Sequence, residues 1–220
     1  MPRRVALIGM GRMGSTVRAL ALESGWELCA EVSRGFTGAQ LGGADVAVEF
    51  TTPDAAADNI LVCLAAGCPV VVGTTGWYQR LPEIAAAAGA ANGAVFWAPN
   101  FSIGANALAM LAAEARRLLP KDRFPAAIVE THHAAKRDAP SGTAMEVARG
   151  LEPGVPITSL RVGNVPGTHE VIFDGRYEQV RLEHVVRDRR VFAEGALIAA
   201  DWLIGRRGLF TMRDLLEGKS

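Results

Sequence analysis

The chain has 220 residues, of which 50% are hydrophobic, so it can bury a large core within one or two domains. Its 23 basic and 23 acidic residues give zero net charge, which argues against binding to nucleic acid or to an anionic membrane surface. No apolar run reaches the roughly 18 residues that a membrane span requires, and the N-terminus lacks the features of a signal peptide. We therefore expect a cytoplasmic protein with no nucleic-acid or membrane partner, in which Cys29, Cys63 and Cys68 are free thiols.

The first predicted element is a strand that leads through a glycine turn into a helix. Residues 5–8 are apolar, GMGRMG occupies residues 9–14, and an alanine- and leucine-rich segment follows. In this context the G-x-G-x-x-G pattern predicts a dinucleotide-binding turn, in which Gly9 permits the turn, Gly11 admits the pyrophosphate and Gly14 lets the helix pack closely. A glycine turn with a purely structural role is the alternative. The predicted cofactor residues of the turn are Gly9, Met10, Gly11, Arg12, Met13 and Gly14.

The end of the second predicted strand, residues 28–32, bears on the choice between NADH and NADPH. An acidic side chain at this position would accept a hydrogen bond from the ribose of NADH, whereas Ser33 and Arg34 better suit the 2′-phosphate of NADPH. Glu31 would lie on the same face as Ser33, because side chains alternate along a strand, so NADH stays possible. We expect Ser33 and Arg34 to bind NADPH, with an ordinary solvated arginine as the alternative.

Three more strands alternate with helices before residue 101 and predict a parallel sheet. The strands are predicted at residues 45–50, 69–72 and 94–97, and the helices at residues 54–66 and 80–91. A polar turn follows each strand, and the ligands of such sheets lie beyond the carboxyl ends of the strands. The hydroxyls and amides of Gly73, Thr74 and Thr75 can therefore approach the nicotinamide end of a dinucleotide, and a plain loop is the alternative.

The pattern changes after residue 101. A helix is predicted at residues 105–119 and a strand at 126–130, and three β-type segments follow at residues 157–162, 169–173 and 179–183. This second region is predicted to be α+β, with an antiparallel or mixed sheet. The chain becomes helical again at residues 193–203.

The sequence ETHHAAKRDAPSGT, at residues 130–143, carries most of the reactive side chains. Histidine titrates near neutral pH and lysine stays cationic, so the stretch can donate protons and neutralise carboxylates. Ser141 is a suitable N-cap for a helix, and the first helical amides, at Gly142 and Thr143, would form an anion site. These features favour an enzyme site for an anionic substrate.

Other interpretations of the same stretch stay open. Asp138 could orient either Lys136 or His133. The histidines could instead lie on the surface before an ordinary helix cap, because His-His followed by Lys is also a common solvated arrangement. A metal site made by Glu130, His132 and His133 would need further ligands, and no metal is expected.

Seven segments, in order and over nearly the whole length, carry a family resemblance. They are VALIGMGRMG, DVAVEFTTPDA, VVGTTGW, APNFSIGAN, ETHHAAKRDAPSGTA, VGNVPGTHEVIFDG and VFAEGALIAADWLIGRRGLFTMRDLL. The glycine turn is generic, but H-H-x-x-K-x-D-A-P-S-G-T is specific. The chain resembles the 4-hydroxy-tetrahydrodipicolinate (dihydrodipicolinate) reductases of bacterial lysine and diaminopimelate biosynthesis. The resemblance implies hydride transfer from NADPH or NADH to a conjugated cyclic imine, followed by protonation of the adjacent carbon to give tetrahydrodipicolinate.

The resemblance further implies an α/β fold and roles for matching positions. A Rossmann-like dinucleotide-binding domain would span residues 1–101, completed by residues 193–220, and an α+β domain at residues 102–192 would bind substrate and build a homotetramer. His132 would donate the proton, with Lys136 as a second acid or carboxylate clamp. The small dicarboxylate substrate would be bound by His133, Lys136, Ser141, Gly142 and Thr143. The nicotinamide end of the cofactor would meet Gly73, Thr74, Thr75, Ala98, Pro99, Asn100 and Phe101.

Some features depart from the family pattern. The glycine turn is one residue shorter than in many members, and Thr168 stands where a glutamate is usual. Two other functions are kept as alternatives, namely a catalytically silent dinucleotide sensor and another Rossmann dehydrogenase that acts on an amino acid. The sensor would lack the general acids, and the other dehydrogenase would not explain residues 130–143.

Overall fold

The computed structural model describes residues 2–33 and 35–219, and the chain divides into two compact units. The first unit comprises Met1–Phe101 with Arg190–Ser220, and the second comprises Ser102–Arg189. Arg34, one of the predicted cofactor residues, lies outside the described residues. No helix within the described ranges is long and apolar enough to cross a bilayer.

The first unit is built on a parallel sheet, of which six strands are described. They are β1 (Arg4–Ile8), β2 (Glu27–Val32), β3 (Val46–Glu49), β4 (Val70–Val72), β5 (Ala94–Trp97) and β10 (Gly208–Phe210). Their order across the sheet is β10-β5-β4-β3-β1-β2, and every neighbouring pair is parallel. All side chains of β3 and β4 are buried, as expected for a parallel sheet that is covered on both faces.

Helices cover this sheet, and one of them returns from the far end of the chain. The helices of the unit are α1 (Arg12–Glu23), α2 (Pro53–Ala65), α3 (Leu81–Ala90), α6 (Arg190–Leu203) and α7 (Met212–Leu216). α6 contacts α1 and the strands β3, β4 and β5. Because β2 and β3 lie on opposite sides of β1, the strand order reverses there, and such a switch point is where these sheets bind ligands.

The second unit, all of whose residues are described, is a four-stranded mixed sheet with two helices. Its elements are α4 (Ile103–Leu118), β6 (Ala126–His132), α5 (Gly142–Arg149), β7 (Ile157–Arg161), β8 (Thr168–Asp174) and β9 (Gln179–Val185). The strand order is β7-β6-β8-β9, with only the β6–β7 pair parallel. Buried residues alternate along β6, and Ile128 packs with Leu108 of α4 and Val147 of α5. One face of the sheet therefore forms the core.

The fold confirms the predicted α/β class, and the second sheet is the mixed one of the two predicted alternatives. The start of α4 and the end of β6 differ from the predicted boundaries. α4 begins at Ile103, before the predicted start, because the hydroxyl of Ser102 accepts a hydrogen bond from the backbone N–H of Ala105 at 3.2 Å. β6 continues past the predicted end to His132, so this histidine lies on a strand and not in the following loop. The three cysteines are free, as predicted.

Candidate active site

The glycine turn lies at the carboxyl end of β1, at the switch point of the first sheet. Gly9 has a φ of +96°, and a Cβ on it would lie 2.1 Å from the carbonyl oxygen of Phe50. A Cβ on Gly14 would lie 1.9 Å from the carbonyl oxygen of Gly9, whereas nothing lies within 4 Å of the same position on Gly11. Close packing therefore requires glycine at positions 9 and 14, whereas Gly11 leaves its backbone accessible beside the N-terminus of α1. This is the shape that the pyrophosphate of a dinucleotide needs.

Two further predicted turns lie at the same edge, after β4 and β5. A Cβ on Gly73 would lie 1.9 Å from the ring of Phe50, so no side chain fits there. The hydroxyl of Thr74 accepts a hydrogen bond from the backbone N–H of Thr51 at 2.7 Å. The ring of Phe101 packs edge-on against Phe50, with centroids 6.0 Å apart. The described cofactor residues predicted from the sequence lie after β1, β2, β4 and β5 or in the first turn of α1. They are Gly9, Met10, Gly11, Arg12, Met13, Gly14, Ser33, Gly73, Thr74, Thr75, Ala98, Pro99, Asn100 and Phe101.

Glu49, a fully buried carboxyl group at the end of β3, lies at this edge and was not predicted from the sequence. Its Oε1 accepts hydrogen bonds from the backbone N–H of Thr51 at 3.0 Å, from the Thr51 hydroxyl, and from the amide of Asn59 at 3.4 Å. Burial raises the pKa of Glu49, although hydrogen bonds from Thr51, Thr74 and Asn59 oppose the rise. The carboxyl group therefore ties the turn after β3 to the turn after β4.

The adenosine end of the predicted site lies at the end of β2. The carbonyl of Val32 accepts a hydrogen bond from the N–H of Gly9 at 2.7 Å, which places Ser33 directly beside the glycine turn. The carboxylate of Glu31 forms an ion pair with Arg18 of α1 at 3.0 Å. The acidic group that would favour NADH is thus already paired with a cation.

In the second unit, a buried carboxylate lies beside the first histidine of the central stretch. Glu130 is fully buried, and its Oε1 accepts hydrogen bonds from the guanidinium of Arg161 at 2.8 Å and from the N–H of Ser141 at 3.2 Å. Its Oε2 lies 2.7 Å from Nδ1 of His132. Burial alone would raise the pKa of Glu130, but hydrogen bonds from Ser159, Arg161 and Ser141 outweigh burial and lower it to about 2. Glu130 is therefore ionised at neutral pH.

His132 is 8% exposed, so the alternative of a surface histidine is wrong for this residue. Burial lowers the pKa of His132, the carboxylate of Glu130 raises it, and the charges of Lys136 and Arg161 lower it again. His133, the next residue, is half-buried. The two adjacent histidines thus have different environments, and His132 titrates below the usual range of histidine.

A row of polar side chains crosses the covered face of the second sheet. Directly paired neighbours in this row are Ser159 of β7, Glu130 of β6, His169 of β8 and His184 of β9. The adjacent row on the same face is apolar and consists of Ile157, Ile128, Val171 and Leu182. Burial is the main reason that the pKa of His169 falls to about 4, and burial also lowers the pKa of His184. The covered face therefore changes from apolar core to polar site at Glu130.

The turn after β6 and the start of α5 hold the remaining predicted residues. Nζ of Lys136 lies 2.7 Å from Oδ1 of Asp138, so Asp138 orients the lysine, which was the first of the two predicted alternatives. The hydroxyl of Ser141 accepts a hydrogen bond from the N–H of Ala144 at 3.2 Å, which confirms Ser141 as the N-cap of α5. The predicted substrate residues thus lie in the loop between β6 and α5 and in the first turn of α5. They are His133, Lys136, Ser141, Gly142 and Thr143.

Glu130 and His132 also come close to a third possible metal ligand. One atom each from Glu130, His132 and His169 lies within 4.8 Å of the others, a spacing that a metal ion could use. The third member is His169 and not His133, the residue considered from the sequence. However, the guanidinium of Arg161 contacts the same carboxylate at 2.8 Å and already supplies positive charge there. We therefore interpret the group as a hydrogen-bonded network.

The first unit has a glycine turn at the switch point of a parallel sheet, and the second holds a buried histidine backed by an ionised carboxylate. These features define the class of two-unit, dinucleotide-dependent oxidoreductases. Residues 3–101 match the family model described as "Dihydrodipicolinate reductase, N-terminus", and residues 104–216 match the one described as "Dihydrodipicolinate reductase, C-terminus". The chain belongs to the dihydrodipicolinate reductase family, and it is an NAD(P)H-dependent oxidoreductase.

Curated relatives named 4-hydroxy-tetrahydrodipicolinate reductase match the chain from end to end. The protein from Christiangramia forsetii is 32% identical over 232 residues, which cover 97% of this chain and 97% of the relative. The protein from Thiobacillus denitrificans is 34% identical over 266 residues, with 98% and 99% covered. The protein from Acidiphilium cryptum is 35% identical over 240 residues, with 97% of each covered. These matches confirm the resemblance carried by the sequence segments.

Solved structures share the fold. The dipicolinate-bound dihydrodipicolinate reductase from a Paenisporosarcina species has a TM-score of 0.82 and 24% identity, with 96% of this chain and 98% of that chain covered. An aspartate dehydrogenase from Thermotoga maritima has a TM-score of 0.52 and 12% identity, with 100% and 98% covered. The architecture is thus shared with other dehydrogenases, so the fold alone does not define the function.

Proposed function

We propose that this protein reduces 4-hydroxy-tetrahydrodipicolinate, or its dehydrated form, to tetrahydrodipicolinate in lysine and diaminopimelate biosynthesis. The names of the relatives that span the whole chain support this substrate. The structural observation that carries the proposal is that one segment of the second unit contains a buried histidine, a lysine and a helix N-terminus. Such a set suits a small dicarboxylate that must be protonated during its reduction.

The nicotinamide dinucleotide supplies a hydride when it is bound. Gly9, Gly14 and Gly73 pack too closely for side chains, so they bring backbone and open surface to the edge where the pyrophosphate and the nicotinamide would lie. Arg12, at the first position of α1, is exposed and adds a positive charge beside the helix N-terminus. Residues 74–75 and 98–101 would contact the nicotinamide end.

NADPH is the dinucleotide that we propose. The pairing of Glu31 with Arg18 supports this choice, because the carboxylate is not available to the ribose hydroxyls without breaking an ion pair. From the sequence, Arg34 would contact the 2′-phosphate. Arg34→Ala should therefore raise the Kd for NADPH more than that for NADH, while the control Arg117→Ala, which removes an exposed arginine of α4, should change neither. An unchanged preference in Arg34→Ala would mean that another residue contacts the phosphate.

His132 donates the proton to the ring carbon next to the one that accepts the hydride. Burial and the nearby positive charges of Lys136 and Arg161 lower its pKa, so His132 gives up its proton readily once it is protonated. Lys136, oriented by Asp138, binds a carboxylate of the substrate and assists as a second acid. His132 therefore acts in the protonation step, and Lys136 acts mainly in substrate binding.

The start of α5 binds the substrate's carboxylates. The first helical residues, Gly142 and Thr143, follow a capped N-terminus, where backbone amides and the helix dipole favour negative charge. His133 adds a polar contact beside them. Because the substrate carries two carboxylates, Lys136 and the helix N-terminus can each hold one of them.

We propose a homotetramer that assembles through the outer face of the mixed sheet. This face carries the exposed apolar residues Leu160 and Val185, which are 48% and 52% exposed, beside the Glu170–Arg181 ion pair. Exposed apolar side chains on a regular sheet favour contact with a second copy. Sedimentation equilibrium should give a mass of four 23.3 kDa chains, and Leu160→Arg should lower it. A monomer in the wild type would contradict the assembly.

The test of the function is a coupled assay, in which a synthase forms the substrate from pyruvate and aspartate semialdehyde. Loss of reduced-dinucleotide absorbance that depends on the synthase is the expected result. Oxidation with amino acids but without the synthase product would favour another dehydrogenase. Dinucleotide binding without any oxidation would favour a sensor.

A further inference from the structure

We infer that Glu130 positions His132 for proton donation by holding the imidazole with Nδ1 towards its carboxylate and Nε2 towards the substrate. The inference rests on the proposed function, in which His132 is the proton donor. Glu130 is fully buried and so acts through His132 and not on the substrate. It is a positioning residue.

The geometry of β6 brings the two side chains together. Glu130 and His132 are two residues apart on one strand, so both point to the covered face. Oε2 of Glu130 lies 2.7 Å from Nδ1 of His132, and neither atom has another hydrogen-bond partner in the described part of the chain. A buried donor and a buried acceptor without other partners strongly favour each other.

The carboxylate that faces His132 is itself held in place. Its other oxygen accepts hydrogen bonds from Arg161 on β7 at 2.8 Å and from the N–H of Ser141 at 3.2 Å. These contacts come from two different elements, so the carboxylate cannot rotate without losing them. The ion pair with Arg161 also keeps Glu130 charged, and a charged acceptor forms the stronger hydrogen bond to an imidazole N–H.

The opposite side of the imidazole is left open by a glycine. Gly167 precedes β8 with a φ of +154°, and a Cβ on it would lie 3.1 Å from Nε2 of His132. The missing side chain therefore leaves space at Nε2, on a ring whose side chain is 10% exposed. One ring nitrogen thus meets a fixed carboxylate, and the other lies beside the backbone of a residue without a side chain.

The charges around the ring determine when it is protonated. The titratable and charged groups near His132 are Glu130 on β6, Lys136 in the following turn, Arg161 on β7 and His169 on β8. Burial and the two cations lower the pKa of His132, and Glu130 is the group that opposes them. Without its carboxylate partner, a histidine in this position would be protonated only at still lower pH.

The pairing also distinguishes His132 from the other histidines, of which the chain has four in total. His169 contacts the hydroxyl of Ser141, and His184 contacts the hydroxyl of Ser102. Within the described ranges, His132 is the histidine that pairs with a carboxylate. A ring that is both oriented by a carboxylate and open at its second nitrogen is suited to donate a proton.

The first experiment is NMR of the wild-type protein, with the ring nitrogens labelled with nitrogen-15. It requires no substrate, so it tests the positioning independently of the reductase activity. Four histidine rings give a spectrum in which His132 can be assigned by its loss in His132→Gln. We expect the neutral ring of His132 to carry its proton on Nδ1, and a neutral ring protonated on Nε2 would overturn the inference.

The second experiment is the Glu130→Gln variant, which keeps the size of the side chain and removes its charge. We expect the pKa of His132 to fall, the decline of kcat with rising pH to move to lower pH, and kcat to drop on the order of 10-fold to 100-fold with little change in KM. That loss is below the roughly 100-fold to 10,000-fold expected for removing a general acid. Glu114→Gln, which removes the exposed partner of Arg117 on α4, should change none of these quantities.

Glu130→Gln could unfold the protein, because it leaves Arg161 without its counter-charge. The double variant Glu130→Gln/Arg161→Met removes both charges, and it should fold and still show the reduced kcat and a smaller fraction of the Nδ1-protonated ring. Wild-type kcat in either folded variant would overturn the inference. If the wild type failed to reduce the synthase product while the NMR result held, the proposed function would be wrong and the pairing would stand.

Discussion

Oγ of Ser141 and Nε2 of His169 lie 3.1 Å apart, so the N-cap of α5 is tied to β8. The same hydroxyl accepts a hydrogen bond from Ala144, and the N–H of Ser141 donates to Glu130. One residue therefore fixes the start of the helix relative to two strands. Because this helix start is the proposed carboxylate site, its amides are oriented before the substrate arrives.

Ser141→Ala should weaken both the helix and the binding site. We expect the free energy of unfolding to fall by about 1 kcal/mol from the lost cap, and the KM for the substrate to rise more than kcat falls. Ser102→Ala, which removes the equivalent cap of α4, is the matched control. Denaturant titration and steady-state kinetics measure both effects. An equal rise in KM for the two variants would mean that α5 has no special part in binding.

Gly9→Ala and Gly11→Ala should separate packing from cofactor binding. Alanine at Gly9 would meet a backbone oxygen at 2.1 Å and a positive φ that alone costs about 1–2 kcal/mol, so Tm should fall clearly. Gly11 has a φ of −74° and free space, so Gly11→Ala should keep the Tm and raise the dinucleotide Kd. Thermal unfolding and fluorescence titration give the two quantities. Unchanged affinity in Gly11→Ala would argue against the pyrophosphate at this turn.

Lys136→Met should change binding and pH dependence together. Loss of a charge-assisted contact of about 1.5–3 kcal/mol should raise KM on the order of 10-fold to 100-fold. Because Lys136 lowers the pKa of His132, its removal should raise that pKa and shift the decline of kcat to higher pH. Asp138→Asn keeps the lysine charge and should raise KM less, without this upward shift. Kinetics across a pH series would contradict the assignment if the Lys136→Met profile stayed in place.

Glu49→Gln should alter how stability depends on pH. Burial raises the pKa of Glu49, so its contribution to stability is complete below the ordinary glutamate value of about 4.3 and is lost as pH rises through the raised value. As pH rises through this range, the free energy of unfolding of the variant should therefore fall less than that of the wild type. Glu83→Gln is the control, since Arg80 lowers the pKa of this exposed carboxyl and gives the opposite sign. Parallel pH profiles of wild type and Glu49→Gln would contradict the account.

Much of the fold followed from local pattern. The apolar runs and glycine turns of the first unit predicted a parallel sheet, because its strands are buried on both faces. β10 was not predicted, since three residues are too few to show a period and its pairing with β5 joins distant parts of the chain. The helix cap at Ser141 was predicted because capping depends on neighbouring residues alone.

The network around His132 was only partly predictable. Glu130 and His132 lie two residues apart in one segment. A predicted strand that continued to His132, as β6 does, would have placed both side chains on one face. Arg161 and His169 join them through strand pairing, whose register a single sequence does not reveal. Glu49 was overlooked because it stands within an apolar run, and its partner Asn59 comes from the following helix, α2.

The kinetics of His132→Ala in the synthase-coupled assay test directly whether His132 is the proton donor. We expect kcat to fall by roughly 100-fold to 10,000-fold, while KM and the Kd for the dinucleotide change little. Dinucleotide titration in the same preparation confirms that the variant is folded and binds its cofactor. A folded variant with wild-type kcat would contradict the assignment of His132 as the proton donor.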